Sequence, residues 1–188
     1  MGKATSLQDS IERHLAALAR LGESAEAVER IAAAMERTLK ADGRILTCGN
    51  GGSAAEALHL AEEMIGCFSK KRRPLAAVCL ASDPAAMTCI ANDFGYEELF
   101  ARQVEGLGRK GDMLVALSTS GRSPNIVRAL QRARSLQVTT VGLLGPAGSL
   151  AQEHCDLVLN ANAADSAGVQ EIHLVVTHLL LEYLDARF

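Results

Sequence analysis

Tryptophan is absent from this chain, and phenylalanine and tyrosine together make up only 3% of it. Platforms that hold single-stranded nucleic acid need exposed rings for the bases to stack on, so no nucleic-acid partner is expected. A formal net charge of −3 also speaks against non-specific DNA binding, which needs a basic face to displace phosphate counterions. No apolar run approaches the ~18 residues of a membrane span, so no membrane partner is expected. The opening MGKATSLQDSIERHL lacks the apolar core of a secretory signal. Gly2 followed by Ser6 matches the loose myristoylation pattern and is read as a chance match. The cysteines, Cys48, Cys67, Cys79, Cys89 and Cys155, form no CxxC pair and no metal-finger spacing. They read as small buried thiols in odd number, which fits a reducing, cytoplasmic setting.

What is present is an ordinary globular mixture, 48% apolar and 22% charged in 188 residues, enough for one domain with a real core. Residues 6–21 and 25–41 read as two amphipathic helices, the second with Val28, Ile31, Ala32, Met35 and Leu39 on one face. Ser24 is its expected cap and Gly43 follows its end. Beyond Gly43 the texture changes to strand-turn-helix units. Strands are expected at RILTC, LAAVCLA (75–81), MLVALS (113–118), TTVGLLG and DLVLNA, the last at an edge. Helices are expected at 54–66, from Pro84, along EELFARQVEGL, along IVRALQRARSL, and over 168–187. Strands that are apolar throughout belong in a parallel sheet covered on both faces. The reading is a single α/β domain: a doubly wound, flavodoxin-like parallel sheet of about five strands, with two extra N-terminal helices used in oligomer packing.

Ligands of such sheets bind beyond the carboxyl ends of the strands, and two loops there share a composition. The first is Gly49-Asn50-Gly51-Gly52-Ser53 and the second Ser118-Thr119-Ser120-Gly121-Arg122-Ser123. Glycine lets the backbone approach a ligand, and the helix that follows offers free N–H groups and a positive dipole end. The hydroxyls add donors for phosphate oxygens. Neither loop is GxxxxGK[ST], and GNGGSA is not GxGxxG, so a nucleotide cradle is not supported. Tight turns with serine caps are the plainer alternative for either loop alone. Two such loops on adjacent units of one sheet favour a phosphorylated small molecule.

His59 and Glu63 lie four apart on one helix face, an arrangement suited to metal ligation or acid–base work, and Glu62 is one residue off that spacing. The terminal helix carries QEIHLVVTH, in which Gln170, Glu171, His173 and His178 interrupt an apolar pattern. Polar groups on a buried helix need partners. By spacing alone, Glu171 shares a face with His178 better than Gln170 does, since Gln170 to His178 spans about 12 Å of rise.

Taken together, CGNGGSAAEALHLAEEM, ANDFGYEELFARQV, GDMLVALSTSGRSPNIV and QEIHLVVTH resemble the phosphoheptose isomerases, the sedoheptulose-7-phosphate isomerases of the sugar-isomerase (SIS) domain superfamily. The likeness runs from about residue 6 to the end, and the joint HxxxE and QExHxxxxH pair is its specific part. It implies an aldose–ketose isomerase acting on a phosphorylated ketose through an enediol and feeding heptose to surface glycans such as lipopolysaccharide. It further implies a homotetramer with active sites at subunit interfaces, and zinc, one ion per subunit. Matched motif by motif, Asn50, Gly51, Gly52 and Ser53 fall in the sugar-binding loop and Ser118, Thr119, Ser120 and Ser123 in the phosphate loop. Asn92 and Asp93 match a substrate contact. His59, Glu63, Gln170 and His178 match the zinc ligands, Glu63 and Gln170 also touching substrate, and Glu63 and His178 match the catalytic base and acid.

One departure stands out. Where the family has a basic residue before an aromatic, this chain has Cys67 before Phe68. The run Lys70-Lys71-Arg72-Arg73 is either a substitute source of charge or a solvated basic turn. Two other readings stay open. Some SIS relatives are non-catalytic, binding the replication initiator DnaA, but those lack the acid and base found here. Another ketose phosphate is the second alternative.

Overall fold

A strand that is apolar on both faces is satisfied only when both faces are covered. In the computed structural model, which describes residues 6–188 and so leaves Gly2 and its acylation-like spacing outside, the strands are β1 (Ile45–Gly49), β2 (Ala77–Cys79), β3 (Met113–Ser118), β4 (Thr139–Leu144) and β5 (Leu157–Asn160). All pair in parallel, in the order β2-β1-β3-β4-β5. Every residue of β1 and β3 is buried. Side chains alternate between two cores: Ile45, Met113, Val115, Leu117, Val141 and Leu143 face one, while Leu46, Cys48, Leu114, Ala116 and Leu144 face the other.

The first core is closed by α1 (Leu7–Ala19), α2 (Ala25–Lys40), α3 (Gly52–Ile65) and α7 (Ser166–Asp185). The second is closed by α5 (Leu99–Leu107) and α6 (Pro124–Ser135), with α4 (Pro84–Phe94) at its margin. Helix starts follow local chemistry. Ser6 and Asp9 form a reciprocal capping box on α1. Asp83 accepts from Ala85 and Ala86 ahead of α4, whose first residue is Pro84. Asp165 accepts from Gly168 to start α7. Such caps are worth about 1 kcal/mol each.

The sheet is the expected five-stranded parallel one, with differences at element ends. The 75–81 strand shrinks to Ala77–Cys79, because the Leu75 N–H is taken by the Met64 carbonyl at the end of α3. Ser24 takes the expected N-cap position of α2 but makes no side-chain capping bond, because it also ends a 3-10 turn, Leu21–Ser24. The expected helix 97–107 begins as a separate 3-10 turn, Tyr96–Glu98. Of the thiols, Cys48 and Cys79 are buried, and burial pushes the Cys48 pKa up; Cys67 and Cys89 are exposed, against expectation.

Candidate active site

The chain reverses its winding between β1 and β3, neighbours in the sheet though not in sequence, with Gly49 opposite Leu117. In doubly wound sheets that switch point opens a crevice at the carboxyl ends of the strands, and both candidate loops leave from it. The glycines of the first loop serve different ends. A Cβ on Gly49 would overlap the Ser53 carbonyl, Gly51 sits at φ 56°, and a Cβ on Gly52 would overlap the Gln170 amide. In the second loop Gly121, at φ 59°, lies against the Ser149 side chain. Ser118 Oγ accepts from the Gly121 N–H and Ser120 Oγ from the Arg122 N–H, so the loop is organised by its own hydroxyls. Serine capping does not account for either loop: α3 starts from Gly51, and Ser123 at the start of α6 makes no side-chain cap bond. Ser53 is only 3% exposed, in the first turn of α3.

The two loops are joined side chain to side chain. Asn50 Nδ2 donates to Asn125 Oδ1 at 2.9 Å, and Asn125 Nδ2 returns a bond to Asn50 Oδ1 at 2.8 Å. The Tyr96 hydroxyl donates to the same Asn50 oxygen at 2.9 Å. These residues, with Ser123, line an open cleft of about 470 Å³.

Helices α3 and α7 pack together and bring the histidines into contact. His59 Nε2 and His178 Nε2 are 3.1 Å apart. His59 Nδ1 meets Glu62 Oε1 at 3.1 Å, which orients the ring. Donor atoms of His59, Glu62 and Glu63 all lie within 4.8 Å of one another. Imidazole nitrogen beside carboxylates is the mixed nitrogen and oxygen donor set that zinc takes; His59, Glu62 and Glu63 are the group drawn together, and His178 adjoins it through its contact with His59. Gln170 is the looser member, its amide held over Gly52. Glu171, the better partner for His178 by spacing, is exposed and meets His14 instead.

Other sequence-derived candidates are engaged differently. Asn92 and Asp93 are exposed at the end of α4 and bonded to each other at 2.6 Å; among the described residues, neither has a hydrogen bond to the two loops. The basic run is divided. Arg72 is not available as a substitute charge, because it is buried in an ion pair with Asp185, whereas Lys70, Lys71 and Arg73 are exposed. Burial alone would raise the Asp185 carboxyl, but bonds from Ser69, Arg72 and Lys70 hold it below its usual value.

Sequence reasoning missed Asn125, Tyr96 and Phe68. Phe68 stacks on the His178 ring, centroids 5.2 Å apart and planes at 26°. Its scarcity value as one of four phenylalanines, next to the anomalous Cys67, was the available signal. On α3, burial raises Glu56 to about 7, partly offset by the Ser53 hydroxyl. On α7, burial lowers His173 to about 4, opposed by its bond to the Leu144 carbonyl.

This fold and loop pair define a class. Residues 9–145 match the family model described as SIS domain. A phosphoheptose isomerase of Nitratiruptor sp. is 45% identical over 150 residues, 80% of each chain. One from Nitratidesulfovibrio vulgaris is 46% identical over 163 residues, 87% of this chain and 78% of that one. The solved phosphoheptose isomerase of Francisella tularensis superposes over the whole of both chains with a TM-score of 0.94 at 30% identity. The chain belongs to the phosphoheptose isomerase family and is an isomerase. The non-catalytic reading gives way to an enzyme of a phosphorylated sugar. Among the described residues no helix is long and apolar enough to cross a membrane.

Proposed function

We propose that the chain interconverts sedoheptulose 7-phosphate and D-glycero-D-manno-heptose 7-phosphate through an enediol, the first step toward activated heptose for surface glycans. The observation that carries the chemistry is the meeting of His59 on α3 with His178 on α7 at 3.1 Å, with Glu63 one turn along α3 from His59. Aldose–ketose exchange needs a base at carbon and an acid at oxygen. Glu63 takes a proton from C1 of the ketose while His178 gives one to the C2 carbonyl oxygen, forming the enediol. Glu63 then returns its proton to C2 as the O1 hydroxyl proton passes back to His178, leaving the aldose.

Ser118, Thr119, Ser120 and Ser123 offer hydroxyls to the phosphate at the start of α6, a helix end that favours anions. Asn50, Gly51 and Gly52 line the sugar, Ser53 contributes backbone, Gln170 closes over Gly52, and Asn92 and Asp93 supply outer hydroxyl contacts. Zinc, held by His59, Glu63, Gln170 and His178, would supply polarisation of the sugar oxygens. Subunits are proposed to form a tetramer with sites at their interfaces. Supporting this, Leu7, Ile11 and Leu15 form a stripe along α1 that is 79%, 46% and 61% exposed, and an apolar groove of about 480 Å³ runs between α2 and α7.

Incubation with five- to seven-carbon ketose phosphates, following aldose formation with and without a chelator, tests reaction, substrate and metal together. Turnover should be confined to the seven-carbon ketose, fall on chelation, and drop by at least ~10³-fold in Glu63→Gln with the circular dichroism unchanged. Normal turnover in Glu63→Gln removes that residue from the mechanism, and turnover of a shorter sugar alone overturns the substrate.

A further inference from the structure

A fully buried ion pair is a weak stabiliser, because an apolar pair of similar volume commonly does as well. One that is retained calls for another reason. The Arg72 and Asp185 side chains are 2% and 1% exposed, and Arg72 Nε donates to Asp185 Oδ1 at 2.7 Å. Asp185 is the last residue of α7, the helix that carries His178. Arg72 also donates from Nη2 to the Glu63 carbonyl at 2.9 Å and from Nη1 to the Met64 carbonyl at 2.8 Å, at the end of α3. One guanidinium therefore ties together the closing turns of the two helices that bear the acid and the base.

The other oxygen of Asp185 holds the segment between them. Oδ2 accepts from the Ser69 N–H at 2.7 Å, the Ser69 hydroxyl at 3.0 Å and the Lys70 N–H at 3.1 Å. Those bonds fix the residues just after Phe68, whose ring lies face-on to His178. A histidine ring on a half-exposed helix face has several rotamers open to it. An aromatic plate against one side leaves a single ring plane in favour, and the His59 contact fixes the remaining edge.

We propose that the Arg72–Asp185 clamp is a positioning device for the acid–base pair: it seats Phe68 against His178 and sets the ends of α3 and α7 relative to each other. The proposal deepens the isomerase reading and rests on the roles given to Glu63 and His178. Misplacement of a catalytic group by about 1 Å costs up to ~10²-fold in rate, so an uncompensated charge in this clamp should act on turnover before substrate affinity.

The test uses the full chain with Phe68→Leu, Phe68→Tyr and Asp185→Asn, each assayed at a temperature where circular dichroism shows it folded. With sedoheptulose 7-phosphate, Phe68→Leu and Asp185→Asn should lower kcat about tenfold or more with KM within about threefold, while Phe68→Tyr keeps most of the turnover. The second readout does not depend on activity. In protein carrying labelled histidine, the His178 ring resonances, assigned by their loss in His178→Gln, should show a ring-current displacement. Phe68→Leu should remove it and Asp185→Asn should change it. If Asp185→Asn fails to fold, Ser69→Ala removes one bond of the same clamp and is read in the same way. Unchanged His178 resonances in Asp185→Asn, with activity falling only as the folded fraction does, would make the pair purely structural and sink the proposal. A wild-type protein that turns over no sedoheptulose 7-phosphate defeats the substrate reading instead, and the resonance arm still decides the clamp.

Discussion

At the scale of single residues, His173 shows what a buried polar group on an apolar helix is for. The sequence marked it as a residue in need of a partner, and the partner is the Leu144 carbonyl at the end of β4, 3.3 Å from Nε2. A carbonyl only accepts, so Nε2 carries the proton and Nδ1, which has no partner among the described residues, is the unprotonated nitrogen. Burial lowers the pKa from 6.5 to about 4. The sign follows from linkage. The native state prefers the neutral ring, so this contribution is full above pH 6.5 and is lost as the pH falls through about 4. At ~1.4 kcal/mol per pKa unit it amounts to about 3 kcal/mol. The urea midpoint of the wild type should therefore fall more steeply between pH 6.5 and 4 than that of His173→Gln. Parallel curves would mean that other groups govern acid unfolding.

At the scale of elements, the glycine loop was readable because its demands are local: β1 must end, the backbone must turn, and α3 must start within a few residues. The contacts made by distant chain were not readable. Phe68 and Arg72 owe their surroundings to α7, with Arg72 and Asp185 separated by 113 positions, and no periodicity within residues 66–74 reports that. The same division predicts how two glycines differ. Alanine at Gly49 meets backbone, the Ser53 carbonyl, which cannot move without unwinding the start of α3. Alanine at Gly52 meets only the end of the Gln170 side chain, which can swing away. Thermal or urea unfolding should show Gly49→Ala losing about 1–3 kcal/mol, as overpacked sites do. Gly52→Ala should stay within about 0.5 kcal/mol of wild type while KM for the phosphosugar rises, because Gln170 no longer closes over the loop. Equal stability losses in the two variants would refute this assignment of the glycines.

At the scale of the whole molecule, the alternation of apolar strands with helices was enough to reach the parallel sheet and its two cores. It carries no information on the proposed completion of the site by a second subunit, which rests on surface features. Asn92 and Asp93 are exposed and, among the described residues, bonded to each other and to neither loop, the cleft beside Asn50 is open, and α1 turns Leu7, Ile11 and Leu15 outward. An apolar stripe at helical spacing that no described residue covers fits burial by another subunit. Leu15, 61% exposed in the single chain, separates assembly from folding. Replacing it with glutamate should change protomer stability by no more than about 0.5 kcal/mol, as exposed substitutions do. In a tetramer interface the same charge is desolvated at a cost of several kcal/mol. Light scattering at micromolar concentration should then show four protomers for the wild type and a smaller species for Leu15→Glu. Isomerase activity should fall with the mass and recover as protein concentration drives reassembly. A wild type that scatters as a monomer yet is fully active would place the whole site within one subunit and leave the α1 stripe without a role in catalysis.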